Sequence, residues 1–405
     1  MNKKFLTAAF LLAIAISCKK SNETYPTDPV QLNLSLKQAT IASSADTFAF
    51  ELFNRIGNSK GTGNVIFSPL SISYALSMTA NGAAGLTRDS ILKALGLSEL
   101  GIDDLDKSYK DLTSALLGVD SRVKMEIANS VWENKDYPAK QAFKDILAAY
   151  FNAESSAVDF SDPSTVNLVN NWISGHTNGL IRNMIDQLNS DDIMLLINAI
   201  YFKGKWKVQF DASNTTTRSF TLPGSSTIDV PTMSVENNFK VYMGENEGVI
   251  ELPYGQGNFV MDIVLPASNN PNSLTAARFS SLLSLMHGQK VKLYLPKFKY
   301  AFKEDVSDIL KNLGMGIAFS DSADFSNIMD QLQLQISRVL HQAFIETNEE
   351  GTEAAAATVV EIIATSIGPT EPLVFNIDHQ FTYVIREVTT NTILFMGRVT
   401  DPSVQ

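Results

Sequence analysis

The chain has 405 residues, of which 44% are hydrophobic, 9% aromatic and 19% charged, with 14 prolines and 22 glycines. A chain of that length and composition buries enough surface to fold without disulfide staples, and disorder, a collagen repeat and a multi-span membrane protein are excluded. The 32 Lys and Arg against 43 Asp and Glu leave a net charge of −11, with no basic stripe interleaved with aromatics, so nucleic acid is not an expected partner.

Residues 1–17 read as a signal peptide. Lys3 and Lys4 precede twelve residues, Phe5 to Ile16, whose only polar member is Thr7, and small Ser17 follows. Such an apolar run is too short to span a bilayer. Cys18, the only cysteine, comes next, and the junction resembles the lipobox of a bacterial lipoprotein, with Ala15 where such boxes usually carry Leu. The resemblance implies cleavage before Cys18 and acylation of its thiol, which tethers the protein to a bilayer without a spanning helix. The expected location is the outer membrane, facing the periplasm or the exterior. Loss of the two leader lysines takes the net charge from −11 to −13. Residues 18–38 are polar and hold Pro26 and Pro29, so they read as a tether, with a single domain over 39–401.

From Ser43 the spacing of Ala45, Phe48, Leu52 and Ile56 predicts a helix capped by Ser43 or Ser44 and stopped by Gly57. Further helices are expected over Ser71–Ala80, over Asp89–Leu95, and around Val166, Val169, Trp172 and Ile173, the last with Asn167, Asn170 and Asn171 on its polar face. In the second half, Ile193–Phe202, Val249–Pro253, Phe259–Leu265 and Val291–Leu295 are short apolar or alternating runs, hence strands. Phe381–Glu387 and Ile393–Val399, joined through Thr389, Thr390 and Asn391, read as a closing hairpin. Early helices and late strands without a repeat or internal linker predict one α+β domain.

Enzyme chemistry is poorly represented. His176, His287, His341 and His379 have no metal-ligand spacing, and there is no second cysteine, so neither metal nor cofactor is expected. The one enzyme-like string is Ser90-Ile91-Leu92-Lys93, an SxxK, but no KTG accompanies it and SILKAL is an ordinary amphipathic segment. No catalytic residue is assigned.

The informative segment is NEEGTEAAAATVVEIIATSIGP, from Asn348 to Pro369. Four alanines favour a helix, whereas the β-branched cluster Thr358, Val359, Val360, Ile362 and Ile363 favours a strand. In a strand, Thr352, Ala354, Ala356, Thr358, Val360 and Ile362 share an uncharged face, with Glu353 and Glu361 on the other. Small residues also let the segment survive as an exposed loop, so both states suit it.

Glu349-Glu350-Gly351-Thr352-Glu353-Ala354-Ala355-Ala356-Ala357-Thr358 resembles the hinge of the reactive-centre loop in inhibitory serpins. In order along residues 43–401, NVIFSPLSI (64–72), NAIYFKGKW (198–206), LYLPKF (293–298) and FMGRV (395–399) resemble other serpin segments. The resemblance implies the serpin fold, with a large central sheet, smaller sheets and an exposed loop at about 349–372. It implies a monomeric inhibitor of serine proteases, with cysteine proteases as a second class, that acts as a suicide substrate and is not an enzyme. Counted as in the family, the reactive bond is Thr365-Ser366. Thr365, preceded by Ala364 and Ile363, suits an elastase-like pocket. The return segment is longer than in many relatives, and Gln380 stands where the family commonly has Pro. Ser68, Asn198 and His341 match the shutter beneath the sheet opening, and Trp206 matches the breach at its upper end. A non-inhibitory serpin acting as a binding protein or chaperone is the alternative.

Overall fold

The computed structural model describes residues 28–61, 63–190, 192–266, 274–352 and 371–404. Helix α1 (Leu36–Lys60) comes before the short strand β1 (Val65–Phe67), and helices α2 (Pro69–Gly82), α3 (Gly85–Ala94) and α4 (Ile102–Gly118) come after it. Strand β2 (Val123–Asn134), α5 (Gln141–Phe151), β3 (Ala153–Val158), α6 (Ser164–His176) and β4 (Met194–Lys205) follow. Then come β5 (Thr216–Thr221), β6 (Thr227–Met243), β7 (Glu247–Pro253), β8 (Phe259–Pro266), α7 (Ala276–Leu285), β9 (His287–Pro296), β10 (Phe298–Asp305) and α8 (Ser307–Leu310). The chain closes with β11 (Leu340–Asn348), β12 (Gly351–Thr352), β13 (Leu373–Asn376), β14 (Phe381–Glu387) and β15 (Ile393–Val399). The fold is α+β.

One sheet runs β1-β15-β14-β8-β7-β6-β9-β13, with β5 added on β6, and the other runs β10-β11-β12-β4-β2-β3. Helix α2 is buried along most of its length and packs against β4 of one sheet and β15 of the other. Its apolar residues can therefore face both ways, and its buried serines begin with the N-cap Ser68, whose hydroxyl accepts from Ser71 N.

The first helix differs from expectation at both ends. Ser35 caps it in a reciprocal capping box with Gln38, two turns ahead of Ser43, and Gly57 lies inside it. The apolar stripe marks only the middle of this helix, because its first residue, Leu36, is 90% exposed. Residues 30–38, expected within the tether, lie on the domain. Val30 N donates to Asn258 Oδ1 at 2.8 Å, Asn258 Nδ2 donates back to Val30 O at 2.7 Å, and Leu32 N donates to Thr389 Oγ1 at 3.2 Å. Helix α3 also starts earlier than expected, at Gly85.

Strand β2 breaks the division into early helices and late strands. Its buried polar residues hide it in the sequence, yet each has a partner. Asn129 Nδ2 donates to Phe151 O, Ser130 Oγ accepts from Trp132 Nε1, and Glu133 accepts from Ala139 N and pairs with Lys144. In α6 one of the three asparagines also turns inward. Asn170 is buried, donates to Ile185 O and accepts from Ile185 N.

Candidate functional site

The site is a slot in the six-stranded sheet. Strand β12 is antiparallel to both β11 and β4, so β11 and β4 run parallel to each other on its two sides. Only two residues fill the space between them. Gly351 lies opposite Lys205 and Asn348, and Thr352 lies opposite Gly204 and Thr347. Among the described residues no ladder joins β4 to β11 below this point. A narrow apolar crevice with room for about one water opens there instead, lined by Ile200 and Phe202 of β4, Phe344 and Ile345 of β11, and Leu180 and Ile181 of the segment after α6.

The residues that start the slot's contents are held closely. A Cβ on Gly351, at φ +154°, would stand 2.1 Å from Gly204 O, so no larger residue fits this position. Thr352 is 4% exposed, and its hydroxyl lies 2.6 Å from the hydroxyl of Tyr254. Tyr254 stacks on Trp206 with ring centroids 4.4 Å apart and planes at 12°. Trp206 is itself buried, donates from Nε1 to Asn348 O at 2.9 Å, and donates from its backbone N to Glu350 O at 2.8 Å. Glu349 accepts from Lys297 Nζ at 2.8 Å and from Thr215 Oγ1 at 2.8 Å. Burial pushes the Glu349 carboxyl up, but Lys297 and Thr215 outweigh it and hold the group below the usual carboxylate range.

Lower in the slot, His341 and Asn198 face different partners. Ser68 N donates to His341 Nε2 at 3.1 Å, which joins β11 to the start of α2. Asn198 Nδ2 donates to Asn129 Oδ1 at 2.6 Å, while Asn198 Oδ1 is buried without a partner. Of the residues expected at the shutter, Ser68 and His341 are joined to each other, whereas Asn198 bonds to Asn129 of β2 rather than across the opening. Burial pushes His341 down to about pH 4. A neutral imidazole accepts the Ser68 bond, and protonation would abolish it. Because the unfolded histidine titrates near 6.5, native stability from this group is complete above that pH. It is lost as pH falls toward 4, by about 3 kcal/mol. Thermal unfolding from pH 7 to pH 4 is expected to show a shallower decline for His341→Asn than for the native chain.

Glu353, Ala354, Ala355, Ala356, Ala357 and Thr358, the bond Thr365-Ser366, and Cys18 lie outside the described residues. The SxxK gains no support from geometry, since Ser90 Oγ donates to Thr87 O at 2.8 Å and Lys93 is exposed. Sequence reading missed Tyr254, Thr215, Asn129 and the role of Lys297. Lys297 sits within LYLPKF, and Tyr254 follows directly after the strand ELP. A buried tyrosine there needs a hydroxyl partner, but no local pattern names Thr352 as that partner.

Comparison with known proteins gives one result. The family described as Serpin (serine protease inhibitor) matches residues 43–402. Iripin-2 of Ixodes ricinus is 36% identical over 349 residues, covering 83% of this chain and 87% of the relative. Among solved structures, human thyroxine-binding globulin complexed with thyroxine superposes with a TM-score of 0.84 at 28% identity, covering 91% of this chain and 100% of the other. The native state of the thermophilic serpin Tengpin superposes with a TM-score of 0.80 at 33% identity, covering 93% of this chain and 97% of the other.

Proposed function

The chain belongs to the serpin family, and on that premise we propose that it is an inhibitor that traps proteases by inserting its cleaved loop between β4 and β11. Serpins in general are protease inhibitors; the trapping step and the elastase-like target are the proposal. The observation that carries it is Thr352, seated at the upper end of an otherwise open slot.

Continuing the register of Thr352 gives the inserted strand its neighbours. Each further residue of the loop moves one position back along both flanking strands, so Ala354 meets Phe202 and Ala356 meets Ile200. Thr358 arrives between Asn198 and His341. Its hydroxyl would reach the shutter, where Asn198 Oδ1 has no partner. Thr352, Ala354, Ala356 and Thr358 share the inward face, and Glu353 falls on the outer one. About ten inserted residues, at a net ~0.5–1.5 kcal/mol per hydrogen bond, supply a drive on the order of 10 kcal/mol.

The chemistry belongs to the protease. Its serine attacks the Thr365 carbonyl, an ester replaces the amide, and Ser366 leaves as a new amino terminus. Insertion then has to outrun water at the ester. A panel of serine and cysteine proteases tests this through SDS-stable complexes and the sequence of the released C-terminal fragment. With elastase-like enzymes the fragment is expected to begin at Ser366. Thr365→Arg should weaken inhibition of those enzymes and create inhibition of trypsin-like ones, whose pocket pairs a cation. A fragment beginning elsewhere would displace the bond.

Export and lipidation at Cys18 form the second element of the proposal, with a monomer facing the periplasm or the exterior. Cys18→Ala is expected to leave the membrane fraction, because no described helix is long and apolar enough to cross a membrane. Unchanged partitioning would refute the anchor. The likeness to a thyroxine-bound relative supports a second reading, a carrier of small ligands. Failure to form a complex with every protease in the panel would favour it.

A further inference from the structure

The domain's attachment to its anchor is fixed by a short docked segment. The two bonds between Val30 and Asn258 hold the chain against the turn after β7. A Cβ on Gly257 in that turn would lie 3.6 Å from Pro29 Cγ and 3.4 Å from Lys207 Nζ. The same turn is bonded to the upper end of the slot, since Gly255 N donates to Lys205 O, Lys207 N donates to Pro253 O, and Tyr254 touches Thr352. The tether therefore leaves the domain at the pole where the loop enters the sheet.

Ten residues separate Cys18 from Pro29, a reach of at most about 40 Å when fully extended. The folded domain is roughly 50 Å across, and twelve-residue β4 alone places its two ends on the order of 36 Å apart. An anchor with that reach brings the hinge pole to the bilayer and leaves the opposite pole outward. Charge agrees with this orientation. Six cationic and five carboxylate side chains line the broad groove at the hinge pole, whereas the whole chain carries −11. The groove is therefore close to neutral and presents little repulsion to an anionic headgroup layer, while Lys19 and Lys20 beside the anchor attract one.

From this we infer that the lipidated protein stands with its hinge pole facing an anionic bilayer, so that the proteases it meets are those working within tether reach of that membrane. The inference rests on acylation of Cys18. Because Cys18 is the only cysteine and is consumed by its lipid, a cysteine placed elsewhere gives a unique label. Ala212→Cys lies exposed beside the hinge pole, and Asp136→Cys lies exposed just beyond the far end of β2. Each lipidated full-length variant would carry a donor dye in phosphatidylethanolamine–phosphatidylglycerol vesicles with a headgroup acceptor. Energy transfer from position 212 is expected to exceed that from position 136 by several-fold. Equal or reversed transfer in vesicle-bound protein would overturn the orientation and leave the anchor standing. Failure to join the vesicles at all would overturn the anchor and the orientation together.

Discussion

Thr352→Arg should be cut in its loop as fast as the native chain and yet trap no protease. Thr352 is 4% exposed and bonded to Tyr254, so an arginine there must place its guanidinium among Trp206, Tyr254 and the Gly204 backbone. An unpaired charge in such a place costs several kcal/mol. Because Thr352 is already seated between β4 and β11 in the intact chain, an arginine would leave the slot there, and insertion would have to begin by forcing it back in, with each later pairing depending on that step. The proposed reactive bond, after Thr365, is thirteen residues further along, so the protease would still meet its substrate. SDS gels should show a cleaved product with no complex, and the product should lack the rise in thermal stability of the inserted form. Inhibition at the native level would exclude insertion from this hinge.

Arg386→Leu should be the most damaging single change in the sheet that backs the slot. Arg386 Nε donates to Asp262 Oδ2 at 2.6 Å, Nη2 donates to Glu251 Oε2 at 2.9 Å, and Nη1 donates to Asn391 Oδ1 at 3.0 Å. Asp262 is fully buried and Glu251 nearly so. Removing one partner of such a cluster costs about 3–5 kcal/mol, because the carboxylates remain. For a domain of this size that corresponds to a fall of about 4–7 °C in Tm. Burial already pushes the Asp262 carboxyl up, and loss of the guanidinium pushes it higher. The variant's deficit should therefore shrink as pH falls and Asp262 takes up a proton. Arg386→Leu paired with Asp262→Leu should recover much of the loss, as uncharged packing replaces the cluster.

The parts of the fold legible in the sequence were those whose side chains alternate or repeat without polar interruption. The closing hairpin, β7, β8 and the middle of α1 are of that kind. Strand β2 was not, since its buried Asn129 and Asn134 rely on bonds to Phe151 and Asp192, and its buried Ser130 and Glu133 on the side chain of Trp132 and on Ala139 and Lys144, none of which alternation reveals. The docked segment at Val30 depends on Asn258, 228 residues away, and no local pattern announces it. At the site, the small uncharged face from Thr352 onward pointed to a strand that could also be a loop, and resemblance supplied the slot that receives it. Tyr254 and Asn129 needed the structure, because each acts through a partner in another element.

Amide hydrogen exchange in β4 and β11, measured before and after cleavage of the loop, reads the slot itself. In the intact chain every second N–H and C=O pair along β4 and β11 faces the slot, where no ladder joins the two strands among the described residues below Thr352. An inserted strand would give them partners on both sides. Exchange at these residues is expected to slow by orders of magnitude in the cleaved protein, with His341 and Asn198 protected last as Thr358 arrives. Unchanged exchange along β4 and β11 in a protein whose loop is fully cut would contradict insertion.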